Sequence, residues 1–568
     1  MDRTWLKTRK QLLRSTKDEV RRRLGRDPED LKASHREVRK LAGQKYRISS
    51  KSEILSEIDS ADIVYGGDFH AHGPAQRTHL KILRHLAVER PVVLALECFE
   101  ARSQKWVDAY LKGKIDLKKL RERSKWDQAW GFPWDHYRPL IELAKKRNWL
   151  VAAIGVEKEV SFGAGGLKRQ DHATARLLRS IMINRPAALV YVVIGELHLA
   201  TLPTVVRAQF SRQRKLREVS LHLNAENVYF DLAKRNLEHS VDVVRYQLSS
   251  ERSKTLLRRP LEAGVVRFGV ISSPPWVPWQ SYLLHLDQTI DLELDEGEDS
   301  DDFDPTDHIR RLIEWIAKDL GVKVEVLIEP LKDLAVYSPS DSTLWRKIET
   351  QLKGHEREMA RRLLIKGRSF VLPSLQVGCL AQANVNNAAH LAGEYFQVIL
   401  SKRRKSVWKF PRDFQGSIWV EALAYFASKL INHKRQAETI HDLRSELESI
   451  PATDEGRDAL RLALDQRMAE LVYFHQGRRR RRLVTPRKTA AYLEASLILG
   501  RMLGERLYGA FRARKILKRE IVSLYKTDVL GLGFGRDYDV LTARVARAVG
   551  TEVAPSGLVP LKRRRERL

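Results

Sequence analysis

Cysteine is almost absent from this chain: Cys98 and Cys379 are the only two in 568 residues. That excludes a disulfide framework, a cysteine-rich zinc module and a Cys-x-x-Cys-His haem attachment. Uninterrupted apolar runs on the order of 18 residues are also missing, which excludes an ordinary membrane-spanning helix. The first residues, Met1-Asp2-Arg3-Thr4-Trp5-Leu6-Lys7, carry no apolar signal core and no lipoprotein-type Cys. Two thiols in so long a chain fit a reducing compartment, so a cytoplasmic location is expected. Negative charge is in deficit. Lys and Arg number 102 against 72 Asp and Glu, a formal net charge of +30.

The excess is concentrated in runs. Residues 1–50 are rich in Lys and Arg, Arg478 to Arg482 is unbroken arginine, and the tail carries Lys562-Arg563-Arg564-Arg565. Such runs favour an anionic partner but say nothing about fold. No zinc-finger or RNA-recognition pattern accompanies them. The glycine-rich Gly531-Leu532-Gly533-Phe534-Gly535 lacks the Lys-Ser/Thr of a phosphate loop and reads as a turn.

What the chain does have is one short pattern twice. Gly67-Asp68-Phe69-His70 follows the apolar run Ile63-Val64-Tyr65, and Gly195-Glu196-Leu197-His198 follows Leu189 to Ile194. A third apolar run, Val92 to Leu96, ends on Glu97. Each reads as a strand with polar residues at its carboxyl end. In an open parallel sheet those ends share one edge, where ligands bind. His70, Glu97 and His198 are therefore expected to converge within roughly 10 Å, on the reasoning that right-handed crossovers keep strands parallel. Two imidazoles and a carboxylate suit Mn, Fe, Co or Zn, so these three are the candidate metal ligands. A metal so held keeps open positions and activates water. Glu97 and Glu196 are the candidate catalytic carboxylates. His70, His198, Gly67 and Gly195 are the candidates for holding a cofactor. For Asp68 and Glu196 the plainer expectation is a solvated loop carboxylate, with a part as ligand, base or orienter of an imidazole as the alternative. His72 is expected to be exposed.

The surroundings extend the pattern. After Glu97 come Cys98-Phe99, Gln104, Asp108-Ala109-Tyr110-Leu111-Lys112-Gly113, Trp126 with Trp130, and Tyr137 before a helical stretch. In that order, between about Ala61 and Pro203, the series resembles the ChaN family of the Tiki/TraB superfamily. The resemblance implies an α/β fold whose mostly parallel sheet is flanked by helices. It implies haem binding and iron uptake on the ChaN side, and metal-dependent peptidase activity on the Tiki side. The peptidase site would map to His70, His198 and Glu97, with an Arg from the helix before the last strand. Here, in the register set by Asp171, the position of that Arg holds Gln170. Arg169 lies one place off, about 100° round a helix. Cys98 stands where the family has Met and is expected to be core packing.

Haem asks for an axial side chain and an apolar slot. Tyr65, Tyr110, Tyr137, Trp126 and Trp130 are the aromatic candidates for its walls, with core packing as the ordinary alternative. Gly163-Ala164-Gly165-Gly166 follows the strand Trp149–Val156 and is expected either to bend over the site or to be a plain turn.

Composition divides the chain into a basic helical lead-in (1–55), a ChaN-like α/β domain (56–285), an acidic linker (286–305) and a mainly α-helical domain with a basic tail (306–568). In the last, helical spacing covers Asp341 to Lys366, Leu380 to Lys402, Gly416 to Glu448, Thr453 to Gln476 and Lys488 to Leu524. His390 and Glu394 share a helix face there and read as an ordinary polar pair. The functional expectation is a haem- or iron-associated binding protein. Its cofactor would be haem or a divalent transition metal. A metal-dependent hydrolase acting on a peptide or small molecule is the alternative. An interaction protein for an anionic partner is the second.

Overall fold

The computed structural model describes residues 3–24, 46–48, 51–86, 89–157, 165–210, 215–223, 226–234, 244–247, 266–270, 274–286, 305–339, 341–403, 414–449, 455–476 and 489–549, with Lys32 and Arg36. The acidic linker apart from its end residues, the Arg478–Arg482 run, the basic tail, Gly163 and Ala164 lie outside the described residues. The chain forms two compact units, Met1–Asp291 and Leu292–Leu568. No helix among the described residues is long and apolar enough to cross a membrane.

In the first unit, eight strands form one sheet: β1 (Tyr46–Ile48), β2 (Ile63–Asp68), β3 (Val92–Glu100), β4 (Leu150–Gly155), β5 (Leu189–Gly195), β6 (Glu218–His222), β7 (Val244–Gln247) and β8 (Val266–Val270). Their order is β1-β7-β8-β6-β2-β5-β3-β4. The five strands β6, β2, β5, β3 and β4 run parallel, as the α/β reading expects. Strand β8 continues the parallel run, and β7 and β1 close that edge antiparallel. Helices cover both faces, so the central strands are apolar throughout rather than alternating with polar residues. Along β5, Leu189, Tyr191 and Val193 enter one core while Val190, Val192 and Ile194 enter the other. That division follows from the two-residue period of a strand.

Strand β5 lies between β2 and β3, with Asp68 opposite Gly195 and Leu96 opposite Val193. The carboxyl ends of the three motif-bearing strands are thereby neighbours. The helix Arg3–Leu24 buries Leu12 and Leu13 against Tyr229, Phe230 and Trp276, so part of the basic leading segment is packed structure.

The second unit is mainly helical, as expected, and encloses its own core. Several expected long helices are broken. Asp341 to Lys366 is two helices, Ser342–Gln351 and Gly354–Ile365; the stretch from Gly416 is Phe414–Ile431 and Ile440–Ser449; that from Lys488 is Thr489–Arg512 and Lys518–Lys526. Helical spacing persists across a turn when both helices face one core, which is why periodicity alone did not register these breaks. A small sheet, β9 (Ala335–Tyr337), β10 (Phe370–Leu372) and β11 (Val377–Cys379), was not anticipated, because three-residue strands carry too few alternations to read. Gly393 is required at the centre: a Cβ there would lie 2.4 Å from Ala427 Cβ on the facing helix.

Candidate functional site

Each motif residue arrives at the sheet edge by a different local device. Asp68 is the last residue of β2 and is 4 % exposed, far from the solvated carboxylate expected. It is held by three partners: Gln76 Nε2 at 2.5 Å, Tyr137 Oη at 2.5 Å and His70 Nδ1 at 3.0 Å. Those bonds and the charge of His70 overcome the burial that would raise its pKa, which is lowered. His70 is thus oriented by a carboxylate two residues before it.

At the other end, Asp171 on the helix Gly166–Asn184 is fully buried and accepts from His198 Nδ1 at 2.5 Å and from Thr201 Oγ1. His198 stands in the short turn Glu196–Ala200 that ends β5. Both imidazoles therefore have Nδ1 engaged by an aspartate, and both turn Nε2 towards Glu97. His70 Nε2 is 3.8 Å from Glu97 Oε2, and His198 Nε2 is 3.3 Å from Glu97 Oε1. The three candidate residues do converge. Gly195 permits it: a Cβ there would lie 3.2 Å from His70 Nε2, while its N–H donates to Glu97 Oε2 at 2.6 Å.

Glu97 is further held by Gln170 Nε2 at 2.9 Å. The amide standing in the register of the expected Arg thus reaches the same carboxylate, and Arg169 is exposed on that helix. Burial penalises the charge on Glu97. The charges of His198 and His70 and the hydrogen bonds from His198 and the Gly195 N–H outweigh it, and its pKa falls to about 2. Burial equally opposes the charge on His198. Glu97 and Asp171 raise its pKa to about 10, which favours the protonated imidazole between them. His70 is also raised, burial being outweighed by Asp68 and Glu97.

Other expectations are corrected. Glu196 is 9 % exposed rather than solvated, and its Oε1 faces His222 Nδ1 at 3.4 Å instead of Glu97. Its Cγ would touch a side chain at Gly67, whose carbonyl accepts from His79 Nε2 at 2.8 Å. His72 is buried, not exposed, and meets Ser281 Oγ at 3.0 Å; burial and the nearby Arg77 and His136 charges push its pKa down to about 3. Tyr65, Tyr110, Trp126 and Tyr137 are core residues, and Tyr65 turns to Glu218 on the opposite face. Cys98 is buried, as core packing requires. Gly165, at φ +74°, begins the helix that carries Gln170 and Asp171.

Of the expected aromatic wall, Trp130 borders His70 with ring centroids 4.5 Å apart, and the Tyr137 hydroxyl lies 3.3 Å from His70 Nδ1. The rest of the wall was missed. Phe132 lies 5.1 Å from His70, and His285 stacks on Phe132 at 4.5 Å. Tyr282 and Trp279 meet Phe69 at 6.2 and 5.3 Å. The available signal was the aromatic stretch Trp276–His285, most of which lies in the helix Val277–Leu286 with Pro278 in its first turn. Prolines in a helix's first turn cost it no hydrogen bond.

Trp130 and Phe132, both half-buried, border the site imidazole with more solvent access, the His70 side chain being 24 % exposed against 6 % for His198, and apolar rings beside such an imidazole suit a flat apolar cofactor. Among the described residues, no group of three or more His, Cys, Asp or Glu is arranged to hold a metal ion. Glu97 itself fills the space between the two Nε2 atoms, tied there by Gly195 and Gln170.

No curated protein and no solved structure matches the chain. The segment from 54 to 181, which carries His70, Glu97, Gln170 and Asp171, matches the family described as haem-binding uptake, Tiki superfamily, ChaN.

Proposed function

We propose that the first unit is a haem-associated binding module in which His70 is the iron ligand. The observation that carries this reading is the position of His70: its Nδ1 is fixed by Asp68, and its partly exposed ring is bordered by Trp130 and Phe132. An imidazole ligand whose far nitrogen is held by a carboxylate would be oriented and made more basic. The half-buried rings offer apolar contact to a flat macrocycle. Bound haem would supply an iron centre for storage, transfer or redox chemistry. The chain's own residues bind and orient it. Haem titration of the full chain tests this: a Soret shift saturating at one equivalent is expected, and its loss in His70→Ala. An unshifted Soret band at stoichiometric haem removes the reading.

A second reading is favoured by one specific feature, the two Asp–His pairs that direct both Nε2 atoms at Glu97. With Glu97 drawn back from the imidazoles, the same three side chains would hold a divalent metal, with Asp68 and Asp171 orienting the ligands. Such a metal would supply an activated water for hydrolysis of a peptide or ester. Elemental analysis after loading with Mn or Co checks it. Full metal retention in the His70→Ala, His198→Ala double variant places the metal elsewhere.

A further inference from the structure

The helical unit buries a guanidinium with too few partners. The helix Val385–Leu400 ends in a reversal: Lys402 takes φ +54°, and Arg403 N donates to Val398 O at 3.1 Å. That turn folds Arg403 back along the helix, where it is 5 % exposed. Its Nε donates to Gln397 Oε1 at 3.0 Å. Its Nη2 is buried without a hydrogen-bond acceptor, and Glu394 Oε1 stands off at 3.9 Å. Gln397 is fully buried, and its Nε2 likewise lacks an acceptor. Glu394 is engaged elsewhere: its Oε2 accepts from Val371 N of β10 at 3.2 Å. Burial and Glu421 raise its pKa to about 7 against Arg403 and that N–H, so near neutral pH it is not a fixed counter-charge. At Arg403, burial outweighs Glu394 and lowers the pKa to about 10.

Two buried donors, one of them charged, thus sit on side chains joined by a hydrogen bond, and both want an acceptor. Leaving such donors unmade is costly. A water molecule would complete the hydrogen bonds but not offset the charge. The acceptor that meets both demands carries one negative charge on two oxygens, as a carboxylate does opposite a guanidinium. A dianion suits the place less well, because Glu394 would repel it. We propose that Arg403 and Gln397 form a binding site for a small carboxylate, where the helix Val385–Leu400 meets β10 and with Glu394 beside the bound group. The site belongs to the helical unit alone and is independent of the sheet edge and of haem.

Thermal unfolding of the full chain in sodium acetate, against sodium chloride of equal ionic strength, tests this. A ligand that binds only the folded state raises the melting temperature in proportion to its occupancy. Acetate should therefore raise it beyond chloride and follow a binding curve. Arg403→Gln and Gln397→Leu should each weaken the apparent acetate affinity by roughly ten- to a hundredfold, the loss of one hydrogen bond to a charged group. Glu394→Gln, which removes the repelling carboxylate, should strengthen it. Circular dichroism reports which variants are folded, and Gln397→Leu and Glu394→Gln decide the matter if Arg403→Gln is not. If acetate and chloride act alike, the place takes only water and the proposal is overturned. It is equally overturned if the acetate effect survives in Gln397→Leu, or if Glu394→Gln weakens it.

Discussion

Each unit buries a histidine against a glutamate, and the two pairs are put to different ends. At the sheet edge, His198 and His70 flank Glu97, each imidazole is backed by an aspartate, and the group adjoins half-open aromatic surface. In the helical unit, His390 Nε2 meets Glu421 Oε2 at 3.2 Å. Glu421 is lowered in pKa against its burial by His390, Arg501 and Arg435, and Gly500 packs directly on its side chain. His390 does not pair with Glu394 along its own helix as expected. Glu394 instead accepts from Val371 N at 3.2 Å, and burial raises its pKa to about 7. The helical unit ties other charges into separate pairs, Arg501 of the helix Thr489–Arg512 with Glu438 in the segment before Ile440 for one. The sheet edge gathers imidazoles and carboxylates on one point. The residue types are the same; convergence on a common atom group beside an accessible surface distinguishes a site from a structural pair.

The largest expected effects break each pair at its carboxylate. Asp171→Ala leaves His198 and Thr201 short of a buried partner, and Glu421→Ala removes the carboxylate that His390 Nε2 meets. Each should cost about 3–5 kcal/mol in chemical denaturation, the usual penalty for breaking a buried pair. Only Asp171→Ala should also disturb haem titration. Equal disturbance by Glu421→Ala would erase the functional distinction between the units.

His70→Ala should show the opposite profile. The partly exposed ring leaves stability within about 1 kcal/mol of wild type, while the Soret shift is lost. A loss of stability as large as that of Asp171→Ala would make His70 a structural residue instead.

The Glu97–His198 pair should also mark the pH profile. Glu97 is lowered from 4.5 to about 2, so its contribution is complete above 4.5 and disappears as pH falls through 2. His198 is raised from 6.5 to about 10, so its contribution is complete below 6.5 and disappears as pH rises through 10. The difference in melting temperature between wild type and Glu97→Gln should be greatest between pH 4.5 and 6.5 and should shrink on both sides. A difference that grows steadily with pH above 6.5 would contradict the imidazolium assignment.

The smallest effect compares neighbours on one helix. Gln170→Ala removes a hydrogen bond to the Glu97 carboxylate and should cost about 1.5–3 kcal/mol, as bonds to charged groups do. Arg169→Ala should change stability by no more than about 0.5 kcal/mol, as exposed positions do. Reversal of that order would return the site role to the arginine.

The site was legible to the extent that strand ends are. Apolar runs stopping at Gly-Asp-Phe-His, Gly-Glu-Leu-His and Glu97 mark where the chain leaves a sheet, and parallel crossovers oblige those ends to share an edge. The part played by Asp68 was not legible, because a carboxylate beside a loop histidine looks the same exposed or buried. Tyr137 and Gln76, far along the chain, decide it. Gln170 was legible only through its register with Asp171. The wall from Trp279 to His285 was not, since nothing local to that segment says which strand edge it will cover.

The sequence by itself determined the type and parallel direction of the motif-bearing strands and the meeting of His70, Glu97 and His198, because strand periodicity and crossover handedness are properties of the backbone. Tertiary structure alone decided which aspartate orients each imidazole, which aromatic rings stay half-open beside His70, and that Glu196 faces His222. Those outcomes depend on side chains brought together from distant parts of the chain, where burial and pairing set both geometry and charge.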